Sequence, residues 1–194
     1  MTNDLIKQEE KKDLSVFTDS NNFEMAQRAA KLLASSKLVP VNFQNNLPDC
    51  LIALEMAGRM KTSPIMVMQN MYIVHGKPGW SAQFLISSLN ASGRFSSLRY
   101  VVDGKDDDYG CVAWATDSKG EKLESPRVTI NMAKKEGWFG KTGSKWQTMP
   151  DLMLRYRSAT FFIRLYAPEL AMGFQSQEEI IDVTPDKTSH LEQE

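Results

Sequence analysis

RFSSLRYVVDGKDDDYGCVAWATDSKGEKLESPRVTI, residues 94–130, decides the fold class of this chain. Three runs within it have strand character: Arg94 to Val102, Tyr109 to Ala115 and Leu123 to Ile130. Between them lie Asp103-Gly104-Lys105-Asp106-Asp107-Asp108 and Asp117-Ser118-Lys119-Gly120, built from the residues that turn chains. Short turns between successive strands predict an antiparallel meander.

Helical patterns stand on both sides of it. Upstream, Asn21 or Asn22 is placed to cap a helix running to about Ser35, with Phe23, Ala26, Ala30 and Leu33 at helical spacing. Pro48 suits the first turn of a helix from Asp49 to Met60, and Pro64 opens a short one. Met71-Tyr72-Ile73-Val74 reads as a strand ended by the turn Gly76-Lys77-Pro78-Gly79, after which Trp80 to Ala91 reads as an amphipathic helix closed by Gly93. Downstream come a short helix over Asn131–Glu136, a Gly/Lys/Trp loop from Gly137 to Thr148, and a final helix from Met149 to Tyr166 stopped by Pro168. The reading is α+β, with helices flanking a small central antiparallel β-meander. Residues 1–20 are expected to be disordered, 21–174 to form one domain, and 175–194 to be a flexible acidic tail.

The net charge of −1 conceals an uneven distribution. Residues 21–174 hold 19 basic and 13 acidic side chains, whereas the last twenty residues hold one lysine and six acids. Between Arg127 and Arg164 there are eight bases (Arg127, Lys134, Lys135, Lys141, Lys145, Arg155, Arg157, Arg164) against Glu136 and Asp151. A basic segment inside a near-neutral chain points to a polyanionic partner. No apolar run approaches the roughly 20 residues that span a bilayer, so no membrane role is expected. The polar N-terminus reads as no secretory signal, and Cys50 and Cys111 lie far apart as reduced thiols, so the expected address is the cytoplasm.

Several kinds of chemistry are excluded by spacing. Gly137-Trp138-Phe139-Gly140-Lys141-Thr142 ends like a phosphate-binding loop, but only two residues separate its glycines, too few to wrap a triphosphate. Asp106, Asp107, Asp108 and Asp117 offer the acid density of a Mg²⁺-dependent nuclease, yet they sit where hairpin turns demand such residues. His75 and His190 are too far apart in sequence for a zinc pair, and neither has an obvious Ser or Cys nucleophile partner. No catalytic residue is expected. No cofactor is called for either, Mg²⁺ being compatible with the sequence but not required by it.

What remains suits binding. Single strands are held by cations that follow the phosphates and by aromatic faces that stack on bases. Lys134 to Trp146 interleaves both, with Lys141 and Lys145 the favoured contacts and Trp146 a candidate core anchor. The last helix is apolar nearly all round, through Leu152, Met153, Leu154, Phe161, Phe162 and Ile163, yet carries Arg155, Arg157 and Arg164. Seven residues apart, Arg157 and Arg164 project within about 20° of one another. A buried guanidinium needs a partner or a polyanion. Asp151 stands four before Arg155, whereas Arg157 and Arg164 have only distant candidates such as Glu55 and Glu169.

The order of these features resembles the RecT family of phage recombinases. The resemblance rests on Met25-Ala26-Gln27-Arg28-Ala29-Ala30-Lys31, Cys50 to Met60, Pro64 through Gln69-Asn70-Met71-Tyr72-Ile73-Val74-His75-Gly76-Lys77, and Ser92-Gly93. It continues through the meander and Trp146-Gln147-Thr148-Met149-Pro150 into the arginine-bearing helix that stops at Ala167-Pro168. It implies a RecT/Redβ-like single-strand annealing fold and pairing of complementary DNA strands without ATP in phage or prophage recombination. It also implies homo-oligomers, as rings or filaments, and a phage exonuclease as a further partner. The implied DNA-binding positions are Lys77, Arg94, Arg99, Lys141, Lys145, Arg155, Arg157 and Arg164. The region that family members use for partner binding is reduced here to an acidic tail. The readings from other classes are a Mg²⁺-dependent nuclease and a phage adaptor or structural protein that meets an acidic partner.

Overall fold

In the computed structural model, residue 17, residues 19–74 and residues 76–184 are described. His75, His190 and the chain beyond Thr184 lie outside them, as does most of the segment expected to be disordered. The chain divides into two compact units, Met1–Asn70 and Met71–Glu194, where a single body over 21–174 was expected.

The first unit is helical. Helix α1 (Ser20–Ala34) starts one residue before the expected caps because the Asp19 carboxylate accepts the Asn21 amide at 3.1 Å. Its alanines Ala26, Ala30 and Ala34 recur every four residues and form the buried stripe against helix α2 (Leu47–Met60), which contributes Cys50, Ala53 and Met56. Small side chains on the facing stripes let the two backbones approach. Asn46 caps α2, Pro48 lies in its first turn, and Lys61 ends it in the left-handed conformation. Helix α3 (Pro64–Asn70) buries Val67 and Met68. Glu55, a candidate partner for the helix arginines, accepts from Arg59 at 2.8 Å within this unit.

The second unit opens with strand β1 (Met71–Val74), paired antiparallel to β2 (Lys77–Trp80). The expected turn over Gly76–Gly79 is therefore mostly strand; β7 reaches only Gly79 and Trp80, so Pro78 is paired on one side alone, across from Ile73, and its missing amide costs the ladder little. Trp80 ends β2 fully buried and donates its indole N–H to the Ala171 carbonyl at 3.1 Å. Helix α4 (Ala82–Ala91) follows, with Ser81 capping the Phe84 amide.

The meander is present, with its elements trimmed. β3 (Arg99–Asp103) pairs with β4 (Gly110–Thr116), and β4 pairs with β5 (Lys122–Glu124). Arg94 to Leu98, expected as strand, makes only the isolated bridge Phe95↔Asp117. The third run splits into β5 and β6 (Val128–Thr129) around Ser125-Pro126. Pro126 has no amide to give the ladder, and the Ser125 hydroxyl takes the Ala113 amide at 3.0 Å. Helix α5 (Ile130–Lys135) leads to the short helix α6 (Lys145–Thr148) and then to α7 (Pro150–Tyr166), which lies across the inner face of β4. Ser158 of α7 donates to the Cys111 carbonyl at 2.9 Å, and Trp138, Trp146, Met153, Leu154 and Val128 fill the space between.

After α8 (Pro168–Ala171), the segment expected to be a flexible tail is folded as far as Thr184. β7 (Gln175–Ser176) pairs parallel to β2, and helix α9 (Gln177–Val183) begins with a capping box between Ser176 and Glu179. Gly79 makes this docking possible, because a Cβ there would come within 2.6 Å of Ile180 Cδ1 and 3.0 Å of the Gln175 carbonyl. The architecture is α+β, and among the described residues no helix is long and apolar enough to cross a membrane.

Gly110 is a tight point on β4 of the meander that carries the candidate site: a Cβ would sit 2.7 Å from the Val128 carbonyl. Gly110→Ala should therefore destabilise the second unit by about 1–3 kcal/mol, read as a lowered urea midpoint.

Candidate nucleic-acid interface

The eight positions expected to meet DNA separate into a group tied to the protein itself and a group that is open. Arg157 is the firmest member of the first. Its side chain is 4% exposed and its guanidinium carbon lies 4.0 Å from the centre of the Trp138 ring. It donates to Asp182 and stands 3.6 Å from Glu179, both on α9. The expectation that Arg157 faces a phosphate is corrected by this burial: the acids that neutralise it belong to the same chain, and they are neither Glu55 nor Glu169.

The surrounding network explains how two carboxylates tolerate the interior. Trp146, packed 5.5 Å from Trp138, donates its indole N–H to Asp182 at 3.0 Å. Glu179 accepts the Ser176 amide at 2.9 Å through one oxygen. Its other oxygen lies 3.0 Å from Arg164 with no aligned hydrogen bond, so charge rather than directed bonding holds it. Burial pushes the Arg157 guanidinium below its ordinary range despite Glu179 and Asp182, and pushes the Asp182 carboxyl up despite Trp146 and Arg157.

Lys141 and Arg94 are tied as well. The Lys141 ammonium donates to the Ile181 carbonyl at 2.8 Å and to that of Thr184, closing the carbonyl end of α9. Arg94 pairs with Glu169 and donates to the Tyr166 carbonyl at 3.1 Å. Arg164 is shared, with 42% of its side chain exposed beyond the contact to Glu179.

The tryptophans of the Gly/Lys/Trp loop are anchors, Trp138 at 6% and Trp146 at 0% exposure. Beside them an open cleft of about 530 Å³ is lined by Lys105, Asp106, Tyr109, Phe139, Gln147 and Pro150. Asp106 and the Asp151 carboxylate bonded to Tyr109 make it mixed in charge, which suits a polyanion poorly. Asp151 is thus taken by Tyr109, where the helix spacing suggested Arg155.

Arg99, Arg155, Lys77 and Lys145 form the open group, and among the described residues none of them has a carboxylate at ion-pair distance. Two of them come together at β3. Among the described residues that strand pairs with β4 on one side only, so no strand lies along its other edge. Arg99 points to the outer face of the sheet, opposite Trp114 in the register. Arg155 reaches from α7 on the inner side, its guanidinium carbon 5.6 Å from the centre of the Tyr100 ring. Burial pushes the Tyr100 phenol up to about 12, so the ring stays neutral under Arg155 at any physiological pH. Lys77 on β2 and Lys145 on α6 are also exposed.

The acids considered for a nuclease serve the turns. Asp108, together with Asp103 outside that set, is latched by Arg127, whose guanidinium also donates to the Asp108 carbonyl at 2.7 Å. Asp107 holds Lys134, and Asp117 accepts the amides of Lys119 and Glu121 at 2.8 and 2.9 Å. Among the described residues no group of three or more His, Cys, Asp or Glu side chains is placed to hold a metal ion. Compared with known protein families, with curated proteins and with solved structures, the chain finds no match.

Because removal of Arg157 would leave Asp182 buried without its cation, Arg157→Ala should cost about 3–5 kcal/mol. Urea unfolding of this variant beside Arg164→Ala, whose exposed side chain predicts a far smaller loss, checks the assignment.

Proposed function

We propose that the chain binds single-stranded DNA and anneals complementary strands without ATP or catalysis, as a RecT-like protein of phage or prophage recombination. The observation that carries this reading is the pair Arg99 and Arg155, two cations without acidic partners among the described residues, on opposite sides of the β3 edge. An extended strand laid along that edge would meet a guanidinium on each side, and guanidinium is well matched to phosphate oxygens. Lys77, Lys145 and the exposed half of Arg164 extend the cationic surface of the same unit. The resemblance of the sequence to the RecT family in the order of its features points to the same partner and to a RecT/Redβ-like fold. On this reading a homo-oligomer would hold one strand with its bases free, and a complementary strand would register by pairing. A phage exonuclease would be its companion.

Binding of a labelled oligo-dT, followed by anisotropy across a salt series, tests the proposal. Affinity should fall steeply with salt as condensed counterions are released. The Arg99→Ala/Arg155→Ala double variant should lower the slope of log K against log salt by about 1.4, because each phosphate left without its cation on a single strand removes roughly 0.7. Its urea midpoint should be nearly unchanged, since neither cation is part of the buried network. Equal slopes for the two proteins would remove these arginines from the interface.

A further inference from the structure

The outer face of the meander offers what a phosphate-gripping edge by itself lacks, a surface for bases. Register places Arg99 directly across from Trp114, Val101 across from Val112, and Trp114 across from Glu124. Directly opposed residues share a face of a sheet. The inner partners, Cys111, Ala113 and Ala115, are fully buried under α7, so this is the other, solvent-facing side. Val101 is 45% exposed there, and Trp114 is half-buried. Lys122 lies over the indole at 4.9 Å and bonds Glu124 at 2.6 Å. Among the described residues no helix covers this face as α7 covers the inner one.

We infer that Trp114 is a base-stacking platform for single-stranded DNA, with Arg99 and Lys122 holding the phosphates that flank the stacked base. The inference rests on the proposed DNA binding and locates its base contact. Every nucleobase has a π-face, so such a platform tolerates any sequence, as an annealing protein requires. Charge favours this occupant. Arg99 has no acidic partner among the described residues, Glu124 is neutralised by Lys122, and the nearby Asp103 by Arg127. An exposed ammonium over an indole is a weaker contact than a stacked base, so an incoming base displaces Lys122 from the ring toward a phosphate. Tyr100 is on the opposite face beneath Arg155 and is not part of the platform.

The other three tryptophans, Trp80, Trp138 and Trp146, are buried, so intrinsic emission reports on Trp114 when DNA is added. Saturating oligo-dT should quench the wild-type emission, and Trp114→Phe should abolish that response. Trp114→Ala should bind labelled oligo-dT roughly tenfold more weakly, yet bind an abasic oligonucleotide of equal length as wild type does. If oligo-dT binds while emission stays unchanged, or if Trp114→Ala binds it as tightly as wild type, the platform is refuted and phosphate binding stands. A face occupied by another protein gives this same result. If wild type binds neither oligonucleotide, the DNA-binding reading itself fails.

Discussion

A guanidinium pressed against an indole face and closed off by two carboxylates holds the second unit together. Arg157 lies on α7, Trp138 in the Gly/Lys/Trp loop, and Glu179 and Asp182 on α9. Three segments distant in sequence thus meet at one charge. Removing such a group from water carries a penalty of several kcal/mol, recovered only where partners surround it. Here partners surround it: a π-face on one side, two acids on another, and the Trp146 N–H turned onto the Asp182 carboxylate. The order of the loop and the docking of the C-terminal segment both follow from that requirement.

This constraint changes the meaning of the charge asymmetry. A basic body followed by acids resembles a polyanion-binding surface beside a solvated tail. Part of it is instead internal neutralisation, since Arg157, Arg164 and Lys141 are all engaged by α9. The cations left for an external partner are those on the meander and its surroundings. On the proposed reading α7 serves core and interface alike, with burial deciding which arginine serves which purpose.

Much of the fold is legible in the sequence because its signals are local. Pro48, Pro64 and Pro168 sit in the first turns of helices, and the Asp/Gly clusters turn between strands. Features that depend on distant partners are not legible in that way. Lys77–Gly79 reads as a turn from its Pro and Gly, yet forms a strand because β1 and β7 flank it. The acids after Gln175 read as a solvated tail, although Ser176-Gln177-Glu178-Glu179 carries the spacing of a capping box and Ile180 follows it. That box is the signal that finds α9. Nothing local pairs Asp182 with Arg157, 25 residues away. The site divides likewise: among the described residues Arg99 and Arg155 have no carboxylate at ion-pair distance, while Arg157 wholly and Arg164 in part are engaged by acids of their own chain. Trp114 goes unnoticed because its role depends on the register that sets it across from Arg99.

Photo-crosslinking of a bromodeoxyuridine-substituted single strand, with the adducts located by peptide mass spectrometry, tests most directly where DNA lies. Adducts concentrated within residues 99–124, on the meander and the β3 edge, are the predicted result. Adducts concentrated within residues 157–184, with the meander unlabelled, would mean that the buried arginines are released to DNA after all and would contradict the account.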